Sequence, residues 1–321
     1  MEKPLRILKN PYLIFKYLSG KGLINWMPDK PYLKLMYRAT TGEKLDLKNP
    51  KTFSEKLQWL KLYDRNPLYT IMVDKVKAKE YVAKKIGEKY IIPTLAVWEN
   101  VEDIDFNILP NRFVIKCNHN SGKGMYICKD KRTINEKKVR ERLYQGLKEN
   151  YYNHGREWPY KDVPRRILVE KYMESSNENV LDEIAERKAS YVGDLRDFKF
   201  FCFNGEPKLC QVISNRSSDE RIDFYNMNWE RIPGLIGLSY GNIKNSKESL
   251  PCPRSFQEMI NCAKILSKES YFSRIDFYDI DGHAYWGEIT FYPASGFGKF
   301  RPDKWNSIIG KWINIDINSQ K

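Results

Sequence analysis

The stretch FSRIDFYDIDGHAYWGEITFY, residues 272–292, constrains the fold more than any other part of this 321-residue chain. Two alternating runs flank an Asp-Gly pair, and alternation with period two describes paired strands with one apolar face. Ile275, Phe277, Tyr285, Ile289 and Phe291 occupy odd positions, whereas Arg274, Asp276, Glu288 and Thr290 occupy even ones. Turn length decides whether the polar set meets. A two-residue turn of Asp281 and Gly282 pairs Ile280 with His283, leaves Asp276 opposite Gly287 and sends Glu288 to the other side. A three-residue loop, with Gly282 in the left-handed position of a bulge, pairs Asp279 with His283 and Arg274 with Glu288. Arg274, Asp276, Glu288 and Thr290 then share a face. Two carboxylates converging there repel unless a cation lies between them, and hard oxygen ligands suit Mg2+. An Arg274–Glu288 cross-strand pair on a solvated face accounts for the same residues.

The rest of the chain alternates helical and strand patterns. Residues 1–70 are rich in Lys, Leu, Tyr and Trp, and Pro and Gly cut them into short helices. They read as a helical cap on a catalytic body, although a basic, aromatic leader also suits anionic lipid headgroups. KTFSEKLQWLKLYDRNP (51–67) spaces Phe53, Leu57, Leu60 and Leu62 as an amphipathic helix, with Ser54 as candidate cap. A helix from about Asp74 to Ile86 stops at Gly87, a short strand follows at 90–98, and RFVIKCNHNSGKGMYICKD (112–130) reads as strand, loop, strand. RRILVEKYM (165–173) is a buried strand ending in charge, DFKFFCFNGEPKLCQVI (197–213) a hairpin about Asn204-Gly205, and SFQEMINCAKILSKE (255–269) a helix. The order predicts an α+β protein of two lobes.

Two stretches besides the hairpin carry chemistry. Lys116 ends a strand and Ser121, Gly122 and Gly124 follow in the turn, where backbone N–H groups and an ammonium suit a polyphosphate. This is neither a Walker A loop nor a Rossmann fingerprint, and a plain hairpin tip fits it equally well. Glu170, Lys171, Tyr172 and Met173 end an apolar strand whose exposed edge would read the Watson-Crick edge of adenine; a strand end entering a charged loop is the alternative.

A net charge of +14 favours an anionic partner: nucleic acid, a membrane surface, a nucleotide or an acidic polymer. A Lys-rich solvated surface explains any single cluster, and no nucleic-acid motif is present. Six scattered cysteines without CxxC spacing read as reduced core residues, and three histidines are too few for a zinc site. No run of eighteen apolar residues and no cleavable leader pattern is seen, so a cytoplasmic protein is expected.

Taken in order, LDLKNPKTFSEKLQWLKLYDRNPLYTIMVDK, FVIKCNHNSGKGMYICKDK, NHGREWPYKDVPRRILVEKYM, DFKFFCFNGEPKLCQV and RIDFYDIDGHAYWGEITFYPASGF resemble the ATP-grasp superfamily, in particular its TupA-like branch associated with bacterial surface polysaccharides. The resemblance implies an ATP-grasp fold: a helical segment at 1–70, a first lobe with a phosphate lid at 71–172, a second lobe with the metal site at 173–321, and the nucleotide between the lobes. It implies ATP and Mg2+ as cofactors. Lys75 and Lys116 would hold phosphates under the Ser121–Gly124 lid, Glu170, Lys171, Tyr172 and Met173 the adenine, and Glu174 the ribose. Lys199 would reach the phosphates, Asp276 and Glu288 would ligate magnesium, and Arg274 would steady an acyl phosphate. Thr290 stands where the superfamily usually has Asn, and its hydroxyl is a weaker ligand. The activity implied is a ligase forming an amide between a uronic acid of a surface polysaccharide or its precursor and an amino acid or amino alcohol. Arg156, Trp158, Tyr160 and Arg196 are candidate sugar contacts, since aromatic faces stack on sugars and arginines clamp carboxylates; an aromatic-rich loop packing on the lid explains them equally well. Ser295 and Gly296 lie where relatives contact the acceptor. The rival readings are a nucleotide-sugar glycosyltransferase, with Asp279 and Asp281 as a DxD pair, a nucleic-acid-binding protein, suggested by charge and aromatic content, and a kinase acting on a sugar hydroxyl.

Overall fold

The computed structural model of the chain describes residues 12–175, 195–215, 219–238 and 243–317; the first eleven residues of the basic N-terminal segment lie outside these. The helical patterns near the N-terminus become α1 (Tyr12–Gly20), α2 (Asp29–Thr41), α3 (Phe53–Tyr63), α4 (Leu68–Val73) and α5 (Lys77–Ile86). Among the described residues no helix is long and apolar enough to cross a membrane. Thr52, not Ser54, caps α3: its hydroxyl accepts from the Glu55 N–H at 3.3 Å while Glu55 accepts from the Thr52 N–H at 2.9 Å. Ser54 instead donates to Asn306 at 2.8 Å. Phe53, Leu57 and Leu60 on α3 are buried, each stabilising the fold by about 1.5–3 kcal/mol. Gly87 ends α5 at φ 113°, a backbone conformation that a side chain would strain.

The first sheet holds β1 (Thr94–Trp98), β2 (Phe113–Cys117), β3 (Tyr126–Cys128) and β4 (Ile167–Lys171) in the order β1-β4-β2-β3, all antiparallel. Between β3 and β4 run α6 (Glu136–Leu147) and the single turn α7 (Tyr152–Gly155). Val139 and Leu143 of α6 pack on Phe113, Ile115, Ile167 and Val169.

The second sheet is larger. Strands β5 (Asp197–Phe203), β6 (Glu206–Ser214) and β7 (Arg221–Tyr225) precede the two-residue β8 (Ile236–Gly237), helix α8 (Phe256–Ser267), and the hairpin β9 (Phe272–Ile280) and β10 (His283–Thr290). Its order is β10-β9-β5-β6-β7, again antiparallel. The short β11 (Phe300–Arg301) pairs with β8, and α9 (Lys304–Gly310) follows. One face of this sheet presents Phe198, Phe200, Ile275, Phe277 and Ile289 to a core that includes Met259, Ala263 and Leu266 of α8. Period-two alternation therefore puts Lys199, Arg274, Asp276 and Glu288 on the other face. Both hairpins expected from Asn-Gly and Asp-Gly form with positive φ at both turn residues, 49° and 84° at Asn204-Gly205 and 56° and 84° at Asp281-Gly282.

The hairpin register corrects the three-residue loop that would have gathered the acids. The turn has two residues, with Ile280 opposite His283. Such a turn alone would send Glu288 away from Asp276, but the register shifts between Trp286 and Glu288, so that Gly287 is an extra residue and Glu288 pairs directly with Asp276. A Cβ at Gly287 would lie 3.2 Å from the Tyr278 ring and 3.3 Å from the Asp276 carbonyl, a tight fit that a side chain there would have to relieve. The cysteines are all unbridged, but Cys252 is exposed, so only five of them belong to the core.

Candidate active site

At one end of the second sheet β5, β9 and β10 bring four charged groups together. Arg274 is the hub. Its Nε donates to Asp276 Oδ1 at 2.7 Å, and its Nη2 donates to Asp276 Oδ2 at 2.7 Å, Glu288 Oε1 at 2.8 Å and Thr290 Oγ1 at 3.2 Å. Lys199, paired with Asp276 across β5 and β9, donates to Asp276 Oδ2 at 2.5 Å. Burial pushes the Asp276 carboxyl above its ordinary value despite Arg274 and Lys199. Burial acts on Glu288 in the same direction, but Arg274, Lys75, Lys199 and Lys116 outweigh it and hold this carboxyl at about 2.

Two of those lysines come from the other side of the molecule. Lys116, at the end of β2, lies 2.5 Å from Glu170 Oε2, and Lys79 on α5 lies 2.7 Å from Glu170 Oε1. Burial would raise Glu170; Lys116 and Lys79 instead bring it to about 2. Lys75 donates to the Asn120 carbonyl at 2.6 Å from a bend organised by Asp74, which accepts from Val76 N–H at 2.9 Å, Asn118 Nδ2 at 2.8 Å and Arg166 Nη2 at 2.7 Å. Desolvation lowers Lys75, with Glu288 its largest opposing influence. Lys116 of the first sheet and Lys75 before α5 thus act electrostatically on Glu288 of the second sheet.

Other expected positions fall less uniformly. Ser121 and Gly122 are exposed on the loop after β2, whereas Gly124 is buried at its foot, where a Cβ would lie 2.7 Å from Cys117 Sγ and 3.0 Å from Gly146 Cα. The adenine reading of β4 needs a correction. β4 lies between β1 and β2, so its backbone is paired on both sides and only the residues after Lys171 offer a free edge. There Tyr172 and Met173 are half-exposed, and Glu174 pairs at 2.6 Å with Arg112, whose guanidinium lies 4.4 Å from the Tyr172 ring centre.

Arg156, a candidate sugar contact, faces the N-terminal segment here. It is 1% exposed, and its Nη2 donates to the carbonyls of Ile24, Asn25 and Met27 at 3.3, 3.1 and 3.1 Å, which ties the N-terminal cap to the 155–158 segment. Trp158 is half-buried against Tyr69, with ring centres 5.9 Å apart, while Arg196 is exposed. Ser295 and Gly296 form a tight turn after β10. Ala294 and Ser295 both take the left-handed conformation, φ 50° and 52°, which is strained for residues with side chains.

Sequence reasoning missed the groups that hold this turn. Lys61, wholly buried on α3, donates to the carbonyls of Ser295 at 2.7 Å and Gly155 at 2.6 Å, and burial brings its ammonium down to about 7. Buried Glu157 accepts from Ser295 Oγ at 2.5 Å, and desolvation raises its carboxyl. Lys61 and Glu157 had no cue in the sequence, since only the tertiary fold brings α3, the 155–158 segment and the 293–296 turn together.

A family model described as TupA-like ATPgrasp matches residues 55–314. A search of curated proteins gives no match. Among solved structures, the chain is similar to D-alanine–D-alanine ligase from Bacillus anthracis complexed with ATP (18% identity, TM-score 0.37, covering 68% of this chain and 53% of that one). It is also similar to D-alanine–D-alanine ligase from Helicobacter pylori (14%, 0.40, 83% and 70%) and to the ATP-grasp ligase PsnB complexed with minimal precursor, Mg and ADP (10%, 0.37, 85% and 65%). The chain spans about half the length of the first of these.

Proposed function

Because the chain belongs to the TupA-like ATP-grasp family, we propose that it is an ATP- and Mg2+-dependent carboxylate–amine ligase. Its substrates are a uronic acid of a bacterial surface polysaccharide, or of its precursor, and an amino acid or amino alcohol. The observation that carries this reading is the shared guanidinium of Arg274, bonded to Asp276, Glu288 and Thr290 at once, with Lys75, Lys199 and Lys116 acting electrostatically on Glu288. Three oxygen-bearing side chains already arranged around a cation suit a hard metal, and Mg2+, when bound, supplies positive charge to the nucleotide phosphates.

In the first half of the reaction a substrate carboxylate oxygen attacks the γ-phosphorus and ADP leaves. In the second the amine nitrogen forms the C–N bond, loses a proton, and phosphate departs. No protein nucleophile is required. Lys75, Lys116 and Lys199 neutralise phosphate charge, Arg274 steadies the acyl phosphate, and the Ser121, Gly122 and Gly124 loop excludes water that would hydrolyse it. Glu170, Lys171, Tyr172, Met173 and Glu174 border the adenosine end. Trp158, Arg196, Ser295 and Gly296 are left to the acceptor side, without Arg156. The supply of ATP points to the cytoplasm as the compartment.

ADP release should be measured with ATP, Mg2+ and a panel of uronates, each with and without a pool of amines. Release that needs both uronate and amine supports the ligase. Release with a sugar and no amine requirement means a kinase. No release, with tight UDP-sugar binding, means a glycosyltransferase. Against that last outcome, the DxD carboxylates are already engaged: Asp279 accepts from Ser255 Oγ at 2.6 Å and Gly282 N–H at 3.1 Å, and Asp281 accepts from Ser175 Oγ at 2.6 Å.

A further inference from the structure

α1 and the turn that follows it carry two apolar series offset by one residue. Phe15, Leu18, Ile24 and Met27 face inward and pack with Tyr32, Leu33, Met36 and Tyr37. Ile14, Tyr17, Leu23 and Trp26 face outward and are 47%, 63%, 62% and 77% exposed; Trp26 is the most exposed large apolar side chain among the described residues. Scattered apolar residues on a surface need no explanation, but four within thirteen residues, three of them more than half exposed, do.

Charge surrounds this series. Between residues 12 and 38 the bases Lys16, Lys21, Lys30, Lys34 and Arg38 are all exposed. The only acid there is Asp29, half-buried and engaged by Tyr152 Oη, by Arg65 at 3.7 Å and by Arg156 at 3.8 Å. Lys21 holds its ammonium 5.9 Å from the Tyr17 ring centre. The turn is braced from behind by the three carbonyl bonds of Arg156 and by the 2.6 Å bond between Ser19 and Tyr32, so the outward residues sit on a fixed platform.

We propose that α1 and the 21–27 turn dock this chain on an anionic membrane surface, with Tyr17, Leu23 and Trp26 entering the headgroup region and the surrounding lysines meeting lipid phosphates. Tryptophan and tyrosine favour the bilayer interface, and basic residues beside an amphipathic element add attraction to anionic lipid. A second copy of the same face is a poor occupant, since it would set one group of uncompensated bases against another. The proposal stands independently of the ligase reading, because it concerns a different face and needs no substrate.

The test is co-sedimentation of the full chain with phosphatidylcholine vesicles, with and without phosphatidylglycerol, at about 0.1 M salt. The wild type is expected on the anionic vesicles only. Leu23→Glu/Trp26→Glu should lower the partition at least tenfold and Lys16→Glu/Lys21→Glu several-fold, the latter deficit shrinking as salt is raised. ATP binding and the unfolding midpoint should stay unchanged. Should the first double variant unfold, brominated phosphatidylglycerol vesicles serve instead: they should quench wild-type fluorescence, and Trp26→Phe should abolish that quenching. Absence of binding to anionic vesicles, equal binding to neutral ones, indifference to all these changes, or a wild-type dimer that Leu23→Glu/Trp26→Glu turns into a monomer would each overturn the proposal.

Discussion

The carboxylate cluster of the first sheet and that of the second are built from similar parts to different ends. In the first, one carboxylate, Glu170, lies between two lysines, and Lys79 is further tied to the Ile92 carbonyl at 2.7 Å and Thr94 Oγ1 at 3.1 Å. In the second, two carboxylates surround one guanidinium, and Lys199 reaches only the inner one. Exposure separates them further: the Glu170 and Asp276 side chains are 9% and 4% exposed, Glu288 38%. Glu170, saturated by lysines from β2 and α5, ties elements together, whereas Glu288 is left open at the lip.

The sharpest way to break this contrast is to neutralise the two acids of the second cluster separately. Asp276→Asn leaves Arg274 and Lys199 buried with half their compensation. It should cost on the order of 3 kcal/mol of stability and lower ADP release by about a hundredfold or more. Glu288→Gln should lower turnover comparably yet cost less stability than Asp276→Asn, because water reaches this side chain and screens its ion pairs. Urea unfolding and ADP release, measured on both variants, check the pair. Equal destabilisation would make Glu288 a tie like Glu170; near wild-type turnover in either variant would remove it from the metal site.

Glu170→Gln tests the closed cluster. Folding holds Glu170 at about 2 against an ordinary value of 4.5, so the unfolded chain takes up the proton first as pH falls. The stability this carboxylate contributes is therefore complete above 4.5 and drains away toward 2. The variant should be less stable than wild type by about 2–3 kcal/mol at neutral pH, with the gap roughly halved at about pH 3. A gap that does not change with pH would mean the effect comes from packing, not from the ion pairs.

The two clusters were unequally legible. Glycine after Asp or Asn at a strand reversal is local turn chemistry, so both hairpins could be read from the sequence. The bulge at Gly287 could not, because glycine inside a strand is compatible with a bulge, a bend or nothing, and here the bulge decides which side Glu288 faces. The Thr52–Glu55 spacing of the capping box was present in the sequence, and a neighbouring hydroxyl, Ser54, drew the assignment away from it. Arg156 and the central position of β4 were illegible for another reason. A guanidinium next to aromatics looks the same whether it faces a ligand or a neighbouring helix, and strand order is set by contacts far apart in the chain. Sequence thus carried the chemistry of the second cluster, and the fold supplied its geometry.

The smallest expected effect concerns Thr290, the departure from the superfamily pattern. Its hydroxyl accepts from Arg274 Nη2 at 3.2 Å and donates to Glu288 Oε1 at 3.4 Å, so it lies at the open edge of the cluster and both contacts are long. An amide carbonyl is the stronger hard donor and stands one atom further from the backbone than the Thr hydroxyl. Thr290→Asn should therefore lower the Mg2+ concentration at half-maximal ADP release by a few-fold, with stability shifted by less than about 1 kcal/mol. Titration of Mg2+ at saturating ATP measures it. A tighter requirement for Mg2+ would extend the contrast, since no comparable substitution beside Glu170 should respond to the metal at all. An unchanged requirement would mean that Thr290 only steadies Arg274, and that the metal is held by the two carboxylates and the phosphates alone.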